Sequence, residues 1–240
     1  MTARCLRLSM RSPETLVTAL VLPVLLMLVF VYLFGGAIET GVDYVTYVVP
    51  GVLLLCIGFG SASTAASVSH DMTSGAIDRF RALDVNGASF LAGHVHASVA
   101  RNALSTALVL VVACTIGFRP DPGVGGWVAA LATLAAFTLA LSWVAAVIGL
   151  AAGSPEAAGG YTFALLFLPY PSSAFVPIET MPGWLQGFAT NQPVTPVIET
   201  VRGALLGTPT GNEPALALAW CAGLLAASML AARILFARRT

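Results

Sequence analysis

Six stretches of this chain run for about 20 residues each with hardly a charge in them, which leaves few ways to fold. They lie at about 16–34, 44–66, 97–118, 127–152, 158–176 and 215–236. A bilayer core is about 30 Å thick and takes ~20 mostly apolar helical residues to cross. Lipid offers no hydrogen-bond partner, so each run must satisfy its own backbone and is expected as a helix. The first run is too long for the apolar part of a cleaved signal, and no small-residue cleavage site follows it. It continues through Phe34-Gly35-Gly36 into a short acidic loop.

Composition closes off other classes. Hydrophobic residues make up 58% of the 240-residue chain and charged residues 9%. A water-soluble domain covers itself with about 25% charged side chains, so an aqueous globular protein is excluded. The formal net charge is zero, which leaves no basic footprint for nucleic acid. All the basic residues are Arg; without Lys there is neither a phosphate-binding P-loop nor Schiff-base chemistry. Cys5, Cys56, Cys114 and Cys221 lie far apart, three of them in apolar runs, and read as small hydrophobes.

Arginine placement sets the expected orientation. Arg4, Arg7 and Arg11 precede the first run, Arg79, Arg81 and Arg101 fall between or near the second and third, and Arg233, Arg238 and Arg239 close the chain. The other side holds only Arg119 and Arg202, beside Glu39, Asp43, Asp121, Glu179, Glu199 and Glu213. Both termini are therefore expected in the cytoplasm, as an even number of spans requires. Arg101 and Arg233 sit close enough to the inner boundary for their side chains to snorkel to headgroups.

The parts outside the spans are few. Residues 1–12 form an amphipathic segment, with Arg4, Arg7 and Arg11 on one face and Ala3, Leu6 and Met10 on the other, as an interfacial helix requires. Ser12-Pro13-Glu14 then suits the start of the first span. A cytoplasmic loop is expected at 69–96, and an outer segment rich in Pro and Gly at 177–214. Within the latter, Thr195-Pro196 reads as a helix start, Glu199 and Arg202 are spaced to pair, and Gly207 reads as a helix end.

The spans carry no Asp or Glu at mid-depth, whereas a proton- or sodium-coupled carrier generally needs an intramembrane acid or a broken-helix ion site. A charge-selective channel lacks its ring of charges. Gly58-Phe59-Gly60-Ser61 is glycine-rich, but those glycines read as close-packing positions. His94-x-His96 near Asp71 lacks further ligands at zinc spacing, so no metal is expected. If the chain moves a solute, the energy must come from another protein.

The inner loop offers a place for that protein to act. As a helix, Asp71 to Leu83 would put Ala76, Ile77, Phe80 and Leu83 on one arc and Asp78, Arg79 and Arg81 on the other. Such a helix either rests on lipid or inserts into a cytoplasmic partner, and periodicity alone does not choose.

The run Gly75-Ala-Ile-Asp78-Arg79-Phe80-Arg81-Ala-Leu83 resembles the cytoplasmic-loop motif of ABC-2 type exporter permeases, in particular the daunorubicin-resistance group. The resemblance extends over nearly the whole chain. It takes in Arg11-Ser-Pro13-Glu14, Tyr32-Leu-Phe34-Gly35-Gly36-Ala-Ile38, Tyr47-Val-Val-Pro50-Gly51 and Arg101-Asn102. On the outer side it takes in Ser172-Ser173-Ala174-Phe175-Val176-Pro177, Met181-Pro182-Gly183-Trp184-Leu185, Asn191-Gln-Pro193-Val-Thr195-Pro196, Arg202 and Gly207. Two departures stand out. Asp84 replaces the usual Pro after Leu83, and Tyr170-Pro171 precede Ser172, which predicts a more broken end to the fifth span.

The resemblance implies an all-α, polytopic membrane protein forming one domain over 1–240, with six transmembrane helices, an N-terminal interfacial helix and outer re-entrant half-helices. It implies a plasma (inner) membrane permease, not itself an enzyme, that exports hydrophobic or amphiphilic drug-like molecules. A second permease, identical or related, and two copies of an ABC ATP-binding subunit would accompany it, with ATP and Mg on that subunit and no cofactor on this chain. Gly75, Asp78, Arg79, Phe80, Arg81 and Leu83 would form the coupling element, and Phe175, Pro177, Met181, Trp184 and Arg202 an outer gate. Phe59, Ser61, Ser63, Thr64, Phe163, Phe167 and Ser173 would line the pathway, although the same residues suit plain helix packing. The same machinery could instead export a lipid or lipid-linked saccharide; a gradient-driven carrier and a non-transporting scaffold are the rivals from other classes.

Overall fold

The computed structural model describes residues 13–74 and 87–238. Among the described residues the chain is helical throughout and carries no strand. Helix α1 (Pro13–Val29) runs into a π-helical turn (Phe30–Phe34). Then follow α2 (Tyr44–Thr73), α3 (Gly87–Thr115), α4 (Gly123–Ala151) and α5 (Pro155–Phe167). The outer segment gives a 3-10 turn (Ile178–Thr180), α6 (Gly183–Asn191) and α7 (Val194–Leu206), and α8 (Glu213–Arg238) follows.

Helix α2 is the axis of the molecule. Every residue from Val48 to Gly58 is buried, the mark of a helix that is apolar all round and enclosed by others. It packs against α1, α3, α4, α5 and α7. Small residues permit the close approaches: a Cβ at Gly51 would stand 2.7 Å from that of Ala174, and one at Gly149 of α4 would stand 2.3 Å from the Ala65 carbonyl oxygen. Near the start of α3, Val68, Phe90, Leu91, Val95, Ala146, Leu150 and Ala232 form a second apolar cluster joining α2, α3, α4 and α8.

Among the described residues four helices are long and apolar enough to cross a membrane: α2, α3, α4 and α8. Together they make the chain a multi-pass membrane protein. The expected fifth span, 158–176, departs from its prediction. Helix α5 has 13 residues, about 20 Å, and gives way after Phe167 to turns through the Pro169-Tyr170-Pro171 stretch, where proline withholds the N–H groups a helix would need. Ser154 caps its start, accepting from the Ala157 N–H at 3.2 Å, with Pro155 at the first helical position.

The ends of the 69–96 segment fall on helices. Helix α2 continues to Thr73 and α3 begins at Gly87, so both flanks of that segment are helical. The apolar positions Phe90, Leu91 and Val95 are buried against α2 and α4, and this burial carries the helix through the polar His94 and His96. In the outer segment α7 begins at Val194, so Thr195 and Pro196 lie within its first turn rather than at its cap. Gly207 ends it in the left-handed conformation, φ 68°, as read from sequence. The 1–12 segment and the coupling residues Gly75, Asp78, Arg79, Phe80, Arg81 and Leu83 lie outside the described residues.

Candidate functional site

The expected gate residues Phe175 and Arg202 meet at the first turns of α2. The Tyr44 hydroxyl donates to the Phe175 carbonyl at 3.0 Å. Arg202, on α7, is 8% exposed. One of its terminal nitrogens donates to the carbonyls of Ser173 at 2.7 Å and Tyr47 at 3.1 Å. Its other terminal nitrogen pairs with Glu199, the i, i+3 partner expected from spacing. The guanidinium carbon lies 3.9 Å from the centre of the Tyr47 ring, a cation–π contact. Gln192 donates to the Pro171 carbonyl at 2.6 Å, tying the same turn to the start of α7. Burying an arginine is costly unless its charge and hydrogen bonds are met; here one carboxylate and two carbonyls take its terminal nitrogens and an aromatic face covers its charge, while the Nε–H has no partner among the described residues.

The other gate candidates are more loosely placed. Pro177 is half-buried and its carbonyl accepts from the Thr180 hydroxyl at 2.7 Å. Met181 is buried, and its carbonyl accepts from Gln186 at 2.9 Å. Trp184 is 82% exposed, as suits a ring at a membrane–water boundary.

Phe175 also joins a row of rings. Phe34 and Phe30 of the π turn lie 5.7 Å apart between centroids, and Phe30 stacks on Phe175 at 4.2 Å. Tyr170 follows at 5.3 Å, Phe167 at 5.7 Å from Tyr170, and Phe163 at 4.9 Å from Phe167. Six aromatic side chains thus run ring to ring from the end of α1 across the 168–175 turn and along α5. Phe175 is buried within the row, while Phe34, Tyr170, Phe167 and Phe163 are exposed. Such a row presents stackable faces and edges to a planar guest. Phe163 and Phe167 were read from sequence. Phe30 and Tyr170 were not; Tyr170 follows Phe167 by three residues, a spacing that marks it, whereas nothing in the sequence around Phe30 points to Phe175.

The remaining lining candidates do not share that surface. Phe59 is partly buried against the core, and the Ser63 hydroxyl is spent on the Gly60 carbonyl at 2.8 Å. The side chains of Ser61, Thr64 and Ser173 are buried. Thr64 accepts from Arg101 at 2.8 Å, and Arg101 also donates to the Gly60 carbonyl at 2.8 Å. Arg101 is therefore enclosed between α2 and α3, not extended toward headgroups. The cause is the small-residue face of α2: a Cβ at Gly60 would lie 1.9 Å from the Asn102 side-chain oxygen, so α3 sits close enough for Arg101 to reach helix carbonyls. Further along, His94 Nε2 lies 3.3 Å from Asp71 Oδ2, both side chains buried, while His96 turns back to the Ala92 carbonyl at 2.6 Å. Among the described residues no three His, Cys, Asp or Glu side chains gather as a metal site.

Comparison with known proteins agrees with this architecture. The ABC-2 type transporter family matches residues 1–206. The chain is 32% identical over 216 residues to the daunorubicin resistance ABC transporter permease protein DrrB1 of Streptomyces coeruleorubidus, covering 89% of this chain and 76% of that protein. It is 26% identical, also over 216 residues, to the probable doxorubicin resistance ABC transporter permease protein DrrC of Mycobacterium tuberculosis, covering 89% of this chain and 78% of that one.

Proposed function

The chain belongs to the ABC-2 type transporter family, and from that premise we propose that it is the permease subunit of an exporter of hydrophobic or amphiphilic, drug-like molecules. The observation that carries the reading is kinship with a permease named for daunorubicin resistance over 89% of the chain. The exposed part of the aromatic row supports it, since fused planar rings of the daunorubicin kind stack on such faces.

ATP hydrolysis on a separate ATP-binding subunit supplies the energy, and this chain needs no cofactor of its own. Two copies of that subunit serve a pair of permeases, identical or related. The residues 75–83 deliver the coupling, with Asp78, Arg79, Phe80 and Arg81 at its centre. The chain crosses the plasma membrane six times, and the excess of Arg on one side supports both termini in the cytoplasm. In that orientation α6 and α7 dip into the outer face, and the Phe175–Arg202 seat closes the outer end of the pathway. The open face of α5 looks toward the partner permease, so that each copy supplies half of the aromatic lining.

The test is transport in sealed vesicles holding this chain with its ATP-binding subunit, using doxorubicin fluorescence as the probe. Uptake into inverted vesicles is expected only with both chains and ATP. Movement driven by a proton gradient through this chain alone would overturn the reading. ATPase stimulation by a glycolipid and not by doxorubicin would assign the cargo to lipids instead.

A further inference from the structure

Among the described residues two polar ties join α2 to α3. One is Asp71 to His94 at 3.3 Å; the other is Arg101 to the Gly60 carbonyl and the Thr64 hydroxyl, both at 2.8 Å. Asp71 and Thr64 are seven residues apart on α2, and His94 and Arg101 are seven apart on α3, running the opposite way. Seven residues span about 10.5 Å of helix, so both ties are met in a single register of the antiparallel pair. One tie allows a pivot; two at this separation also resist tilting. A slide by one residue, about 1.5 Å, would break both.

The packing around the ties points the same way. The Phe90 ring meets the His94 imidazole edge-on at 4.9 Å, and the Asn102 amide lies against Gly60. Asn102 donates to Ser98 at 3.3 Å, and the Ser98 and Ser142 hydroxyls are 2.9 Å apart, bringing α4 into the same network. The opposite end of α2 carries Tyr44 and Tyr47, which hold the Phe175 turn and Arg202.

We propose that Asp71, His94 and Arg101 are positioning residues that make α2 and α3 one rigid body, so that displacement of the helix ends flanking 75–86 is delivered along α2 to the Phe175–Arg202 seat. The proposal rests on the export reading for its function, but the lock itself is a property of this chain.

The experiment uses the full-length chain in lipid nanodiscs, with its four cysteines replaced by alanine and spin labels at Thr73→Cys and Ser89→Cys, both exposed positions. The wild-type pair should give one narrow label distance. Asp71→Asn, His94→Gln and Arg101→Gln should each broaden it or shift it by about 1.5 Å or more. The exchange of Asp71→His with His94→Asp keeps both groups and should restore the narrow distance; it decides the matter where a single variant fails to accumulate. With the ATP-binding subunit present, the single variants should hydrolyse several-fold more ATP per doxorubicin exported. A merely stabilising role would lower hydrolysis and export together. Unchanged label distances, a failed exchange, or an unchanged ATP-to-doxorubicin ratio would overturn the proposal. If the wild-type complex exports no doxorubicin, the export reading falls while the label distances still judge the lock.

Discussion

Arg202 grips Tyr47 twice, donating to its carbonyl at 3.1 Å while its guanidinium covers the same residue's ring at 3.9 Å. The two residues are 155 positions apart, so this contact fastens α7 to the central helix α2. Through the bond to Ser173 it fastens the 168–175 turn as well. A planar, five-donor group suits this task, because it serves two carbonyls, a carboxylate and a ring face without changing rotamer.

Removing the Arg202 side chain should therefore loosen the outer seat. Arg202→Ala is expected to cost about 3 kcal/mol, since it leaves Glu199 and the buried Ser173 and Tyr47 carbonyls without their donor. Arg202→Lys should recover only part, because an ammonium cannot reproduce the fork or the stack. Glu199→Gln should cost about 1 kcal/mol or less, as the Glu199 side chain keeps a third of its exposure. Thermal unfolding in detergent micelles orders the three. Equal melting of Arg202→Ala and wild type would remove Arg202 from the seat.

The aromatic row makes a prediction about binding. Phe167→Ala should weaken doxorubicin binding by about 1 kcal/mol, roughly fivefold, if the guest stacks there. Phe188→Ala removes an equally exposed ring from α6, outside the row, and should leave binding unchanged. Fluorescence quenching titrations in nanodiscs compare the two. Equal losses at both positions would mean that the drug partitions on any exposed aromatic surface.

The parts of the fold that were legible in sequence are those set by local rules. Helices α2, α4 and α8 follow from length and hydropathy alone, and Glu199–Arg202 with the Gly207 stop follow from spacing and from glycine's tolerance of positive φ. The end of α5 was signalled by Tyr170-Pro171. Arg101 was misread, because an arginine near a span's end either snorkels or is buried according to what its neighbour presents. Only the close packing of α3 on Gly60 decides between them. Pro193 and Pro196 both suit a first turn, so sequence gave no means of choosing the start of α7. The aromatic row depends on a π turn and on a non-helical turn that bring distant residues together, and neither leaves a periodic trace.

The start of α5 gives a pH dependence. Glu156 lies in its first turn, and hydrogen bonds to its own backbone N–H and then to Ser154 hold its carboxyl below the usual carboxylate range. A depressed carboxylate contributes stability above its unfolded pKa, about 4.3, and loses it as pH falls through the lower folded value. Ser154→Ala should raise the Glu156 pKa toward the unfolded value and cost about 1 kcal/mol for the lost cap. Carboxyl NMR titration of labelled glutamate reads the first effect, and thermal melts at neutral pH read the second. A Glu156 pKa indifferent to Ser154→Ala would remove the hydroxyl as a cause.

Two glycines separate packing from propensity. At Gly149 an added Cβ would stand 2.3 Å from the Ala65 carbonyl oxygen and 2.9 Å from the Val68 Cβ, so α4 would have to move away from α2. At Gly159 nothing lies within 4 Å of that position. In an isolated helix either Gly→Ala change would gain up to about 1 kcal/mol. Gly149→Ala should nevertheless destabilise by about 1–3 kcal/mol, because backbone cannot give way as a flexible side chain can. Gly159→Ala should stabilise the monomer, and the test is whether the gain survives assembly. If α5 faces a second permease, the added methyl meets that copy, and the gain measured in monomeric micelles will vanish in the dimer. A gain that persists in both would turn the open face of α5 toward lipid.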